Sequence, residues 1–120
     1  SICFDVRFPE LYRHYADRGC DAVLIPSSFT QQTGKRHWHV LCRARAIENQ
    51  YYVIAPNQCG VGANNTKTYG HSLIVGPEGT ILAEANSTDK TVIESEISMT
   101  EIQDIRSSFP IHQHLHPKLN

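Results

Sequence analysis

The chain has 120 residues, 40% hydrophobic and 19% charged, and its 11 Lys and Arg against 12 Asp and Glu leave a formal charge of -1. That is the size of one domain or part of one, with apolar residues enough for a core, so neither a multidomain machine nor a disordered chain fits. Near-neutral charge without a basic stripe argues against nucleic acid or an anionic membrane surface as partner, and no run approaches the roughly 18 apolar residues of a membrane span.

Ile2-Cys3-Phe4 reads as the end of a strand whose start is missing, the mark of a fragment. From Phe8 to Arg18 the pattern is helical: Pro9 suits a first turn, Leu11, Tyr12 and Tyr15 share a face, and Gly19 supplies a stop. Asp21 to Pro26 is a near-continuous apolar run, as in a strand covered on both faces, and a polar loop follows to Gly34. Lys35 to Gln50 places Trp38, Leu41, Cys42, Arg45 and Glu48 at helical intervals. Tyr51 to Pro56 is a second apolar strand, and Asn57 to Lys67 a Gly- and Asn-rich loop. His71 to Val75 and Thr80 to Glu84 flank Gly76-Pro77-Glu78-Gly79 as a β-hairpin. Lys90 to Ile97 alternates as a further strand, and Ser98 caps a helix to about Ser107 with Glu101 at the capping-box position. This order predicts an α/β fold in which parallel strands come first and the hairpin adds antiparallel strands to the same mixed sheet.

The cysteines at 3, 20, 42 and 59 form no C-x-x-C pair and no zinc-finger grouping, so a structural metal is not expected. Cys20 precedes a buried strand and Cys42 lies in a helical pattern, which suits free thiols in a reducing cytoplasm better than a disulfide framework. Cys3 is the most informative position. It directly precedes a turn into a helix, an arrangement that lifts a side chain above a sheet edge and aims the following N–H groups at it, as in a nucleophile elbow. On the residues alone, an inert buried cysteine is the other reading.

Cys3-Phe4-Asp5-Val6-Arg7-Phe8-Pro9-Glu10 resembles the cysteine motif of the nitrilase superfamily, the carbon-nitrogen hydrolases. The likeness continues through Pro26-Ser27-Ser28-Phe29, Thr33-Gly34, His37-Trp38, Arg43 to Gln50, Asn57-Gln58-Cys59-Gly60, Tyr69-Gly70-His71-Ser72 and Gly76 to Gly79. The tail from Pro110 to Leu119 is similar to that of one branch, the amidases acting on deaminated glutathione. The resemblance implies the C-terminal half of a four-layer α-β-β-α sandwich, as part of a single domain over residues 1–120. It further implies a small carboxylated amide as substrate, no metal or cofactor, and a homo-oligomer. Cys3 would attack the amide carbonyl, the Phe4 N–H would help bind the oxyanion, ammonia would leave, and water would release the thioester. In the family the general base Glu and the Lys precede the cysteine. Only two residues precede Cys3, and Lys35, Lys67, Lys90 and Lys118 match no family position, so the chain alone is expected to be inactive. An omega-amidase of the same superfamily, acting on 2-oxo dicarboxylic acid amides, is the alternative within the family. A non-catalytic fragment acting in protein association is the alternative outside it.

Arg7 and Glu10, three apart around a first helical turn, suit an ion pair bracing the elbow, and Arg45 with Glu48 a second pair on the long helix. Phe29, on the loop after the first parallel strand, with Ser28 and Thr30, lies where open α/β sheets bind ligands, and His37 and Trp38 begin the helix beside it, so these five are the candidate substrate pocket, although a Trp at such a place is more often core than ligand. His112, His114 and His116 alternate near the end, but Pro110 and Pro117 break any regular frame and no carboxylate is near to orient an imidazole. This tail is expected to be a docking arm rather than a metal tract.

Overall fold

A computed structural model describes residues 1–115. Cys3 does not end a strand. Ile2 is extended, and a 3-10 turn over Cys3–Arg7 begins at once. Helix α1, Pro9–Asp17, follows with Pro at its start, where the missing N–H costs nothing. It ends before Gly19, whose φ of +79° reverses the chain. Strand β1 is Ala22–Leu24. The next helix starts earlier than Lys35: α2, Gln31–Thr33, is capped by the Thr30 hydroxyl, runs into a π-helical segment Gly34–Trp38, and continues as α3, His39–Asn49. Gly34 belongs there because a Cβ would stand 2.3 Å from the Tyr69 ring.

Strand β2, Tyr52–Ala55, lies parallel to β1, and the residues predicted as a plain loop from Asn57 to Lys67 instead supply β3, Cys59–Val61, which pairs with β4, Lys67–Tyr69, as a separate two-stranded sheet. The predicted hairpin is present as β5, Leu73–Val75, and β6, Ile81–Glu84. The main sheet has the order β1-β2-β5-β6, with β5 antiparallel to both neighbours. Early parallel strands and a later antiparallel hairpin thus share one mixed sheet.

Val23, Val53 and Val75 stand in one register row across three strands, and all three are buried with Tyr12, Trp38, Cys42 and Ala46 from the helices. This is the core. The opposite face is not covered throughout as the continuous apolar run from Asp21 predicts: Val23 is 6% exposed but Leu24 is 60% exposed. Helix α4, Met99–Ser108, covers the start of that face through Tyr52, whose hydroxyl donates to Glu101 and accepts the Ser98 N–H at 3.0 Å. The predicted capping box is therefore half present. Ser98 Oγ accepts from the Glu101 N–H at 3.1 Å, while the return bond is relayed by a tyrosine from the sheet. Arg106 fixes the other end of α4, reaching Asp21 Oδ1 at 2.8 Å and the Cys20 carbonyl at 3.0 Å.

Lys90–Ile97, predicted as a strand, pairs with nothing among the described residues. Its alternation is real, but a strand needs a neighbouring edge to complete its hydrogen bonds, and Val92 is 89% exposed. Cys3, Cys20, Cys42 and Cys59 are free thiols. Among the described residues no helix is long and apolar enough to cross a membrane.

Candidate active site

Cys3 has φ +45°, a left-handed backbone that a side-chain-bearing residue adopts only when its surroundings impose it. Those surroundings can be named. The Cys3 N–H donates to the Pro26 carbonyl (2.9 Å), just past the carboxyl end of β1, and the Asp5 carboxylate accepts the Ile2 N–H at 2.8 Å. Arg45, 4% exposed, reaches from α3 to donate Nε–H to the Val6 carbonyl (2.9 Å) while its guanidinium lies 5.6 Å from the Tyr12 ring centre. The turn is thus held by β1 on one side and α3 on the other. The N–H of Phe4, the next residue, has no acceptor among the described residues, and Cys3 itself is half-buried.

The predicted Arg45–Glu48 pair is present at 2.9 Å. The Arg7–Glu10 pair is not. Arg7 turns away from the exposed Glu10 and lies between two rings, 5.4 Å from the centre of Phe4 and 5.2 Å from that of Phe29, with Nη1 3.2 Å from His37 Nδ1. A guanidinium on an aromatic face gains cation–π attraction and sheds little hydration, which an exposed carboxylate one turn away does not match.

Of the five residues proposed for the pocket, two are interior. Phe29 is 3% exposed and Trp38 fully buried, their ring centres 4.8 Å apart, and the Trp38 indole N–H donates to the His71 carbonyl at 2.7 Å. They form the floor beneath Arg7 rather than an open wall. His37 reaches the Arg7 cluster, Ser28 donates to Gln58 Oε1 (2.9 Å), and Thr30 is spent on capping α2. The floor is locked by Asn57, the first residue of the Asn57-Gln58-Cys59-Gly60 segment: its Oδ1 accepts the Phe29 N–H at 2.9 Å and its Nδ2 donates to the Gly70 carbonyl at 2.6 Å.

A cleft of about 510 Å³ lies between the β3–β4 hairpin and Asn86–Thr91 and does not include Cys3. It shares Asn57, Gln58 and Ser72 with a shallower depression lined by Pro26, Ser27 and Pro56, at the carboxyl ends of β1 and β2. The second position fits the chemistry better, since Cys3 is bonded to Pro26 and open α/β sheets take ligands at strand carboxyl ends.

Elsewhere, His39, His71 and Glu84 bring three ligand-type atoms within 4.8 Å, a grouping that no spacing in the sequence announces. Burial pushes the Glu84 carboxyl up, but hydrogen bonds and charge from His39 and His71 outweigh it and hold the group below its ordinary value. Burial also raises the Cys42 thiol to about 12, so this cysteine is an apolar filler.

An elbow cysteine above a mixed α/β sheet defines a class: the chain belongs to the carbon-nitrogen hydrolase family, whose sequence profile matches residues 1–107. Among individual proteins, it is 47% identical over 114 residues to the deaminated glutathione amidase of Synechocystis, a match covering 95% of this chain and 42% of that protein. The crystal structure of the C. elegans NitFhit protein superposes with a TM-score of 0.91 at 39% identity, over 100% of this chain and 29% of that one. A variant of the Nesterenkonia sp. AN1 amidase, seen with covalent addition of the acetamide moiety of fluoroacetamide at its active-site cysteine, superposes with a TM-score of 0.72 at 30% identity, over 95% and 42%. The chain therefore spans less than half the length of the relatives it matches. The fold is that of the nitrilase superfamily.

Proposed function

We propose that the protein carrying this chain is an amidase in which Cys3 is the nucleophile. Its Sγ adds to the amide carbonyl, the oxyanion is met by the Phe4 N–H, the C–N bond breaks as the nitrogen takes a proton and leaves as ammonia, and water hydrolyses the thioester to a carboxylic acid and the free thiol. The observation that carries this reading is the left-handed Cys3 backbone beside a free N–H, pinned to the end of β1. The amidase relatives support it. The general base and the lysine stand before the cysteine in the family, so they are assigned to sequence outside this chain, which supplies the C-terminal part of one hydrolase domain.

The substrate we infer is a small carboxylated amide resembling deaminated glutathione, the activity for which the Synechocystis relative is named. Exposed Ile2, Phe4 and Phe8 around the elbow suit self-association, and four free thiols suit a reducing cytoplasm. The test is ammonia release from deaminated glutathione by the full-length protein, with mass spectrometry for an acyl adduct. Cys3→Ala is expected to remove the adduct and to cost about 10⁴-fold or more in rate, the scale of losing a nucleophile. Full activity in that variant would refute the assignment.

A further inference from the structure

We propose that His39, His71 and Glu84 form a binding site for a single divalent transition cation, with zinc the best fit, clamping α3 to the β5–β6 hairpin. The donor set is two imidazoles and a carboxylate, which with one water makes the four-coordinate arrangement zinc prefers. The three groups come from separate elements: the first residue of α3, the turn before β5, and the end of β6. His39 Nε2 and His71 Nδ1 stand 2.7 and 2.8 Å from the same oxygen, Glu84 Oε1. Tetrahedral ligands at zinc bond lengths lie about 3.3 Å apart. The present separations bracket that value, from 2.7 Å up to the 4.8 Å limit of the group, so a cation is admitted by side-chain rotation.

The two rings are held for this. His39 Nδ1 lies 3.4 Å from the Tyr69 hydroxyl, so the ring nitrogen away from the cluster is occupied and, with the proton on Nδ1, Nε2 is left as ligand. His71 has φ +55°, and its backbone is fastened on both sides, the N–H to the Asn86 carbonyl at 3.2 Å and the carbonyl to the Trp38 indole. Its ring stacks on Tyr69 with centres 4.4 Å apart. Glu84 and both rings remain partly open to solvent, so a cation has an entry path. None of the three takes part in the proposed thiol chemistry, and the resemblance to hydrolases of this family predicts no metal.

The experiment is a calorimetric titration of zinc sulfate into the full-length protein, freed of metal by chelator and dialysis, at pH 7.5, with Co²⁺ absorption as the spectroscopic partner. One equivalent is expected to bind, with a Co²⁺ spectrum of nitrogen and oxygen ligation lacking sulfur charge transfer. Glu84→Gln and His39→Gln keep side-chain size and hydrogen bonding, so the fold should persist, and each should weaken binding by about tenfold or more. A His112→Ala control should bind as the parent does, and zinc should raise the melting temperature of the parent by more than that of Glu84→Gln at the same concentration. Absence of saturable binding at 1 mM zinc, or binding unchanged in the double variant Glu84→Gln/His39→Gln, would overturn the proposal.

Discussion

The two faces of the main sheet carry the same kind of residues, and at the β1 edge they meet different fates, although on the more open face Tyr52 and Ile74 are buried. Val23, Val53 and Val75 face α1 and α3 and are buried, while on the other side Leu24, in register with Ile54 and then Ile74, is 60% exposed at the β1 edge. Apolar sequence therefore marks a strand's capacity to be covered, and the chain that supplies the strand need not supply the cover. The bare edge is where an unpartnered apolar patch invites association.

The contrast can be broken most forcefully at Trp38. Trp38→Ala in this chain should cost about 3–5 kcal/mol in urea unfolding, since it empties the largest buried site and abandons the bond to the His71 carbonyl. A cost no larger than that of an exposed residue would mean the covered face is not the core. Alkali probes the same face more gently. Cys42 and Tyr12 are buried there and both titrate near 12 when folded, against ordinary values of 9.0 and 10.0. The folded state thus holds protons that the unfolded state releases. Stability should be full below about pH 9 and fall by up to about 1.4 kcal/mol per pH unit per group as pH rises toward 12. Flat stability from pH 9 to 11, read from urea midpoints, would contradict that burial, and Cys42→Ala should remove its share of the slope. The smallest effect belongs to the open face: Leu24→Ser in this chain should lie within about 0.5 kcal/mol of the parent. Repeated in the full-length protein, the same substitution sharpens the comparison, because a cost of about 2 kcal/mol there would show the edge to be covered by sequence outside these 120 residues.

What the sequence discloses follows a similar division. The first helix, both parallel strands and the hairpin of β5 and β6 are legible because periodicity, Pro9 and the glycines at 19 and 79 state local conformation directly. Gly79 has φ +84°, and a Cβ there would meet Ile47 at 2.6 Å. The pairing of β3 with β4 is not legible, since Gly60, Asn64 and Asn65 read as loop and only long-range bonds, such as Tyr69 N–H to the Phe29 carbonyl, hold the ribbon in place. Lys90–Ile97 shows the reverse error: correct alternation without a partner edge. At the site, the motif around Cys3 announces an elbow. It does not reveal that Arg7 prefers two rings to Glu10, or that Phe29 is as buried as Trp38, for which a place in the core is the ordinary expectation, because the depth of an aromatic residue near a strand end is set by the packing around it.

The backbone of Cys3 sets chemistry against durability at one residue. Conformation alone would place glycine or asparagine at φ +45°, so the thiol occupies a position whose natural tenant is unreactive. Two variants that both discard sulfur then part company: Cys3→Gly relaxes the torsion and Cys3→Ala keeps it, and the glycine form should outlast the alanine form in denaturant although neither can form a thioester. Equal or reversed stability would show that the torsion is not strained. Random substitution screened for robustness alone would accordingly drift toward a sturdier, inert protein at this site, and screening for turnover would hold the cysteine in place against that drift.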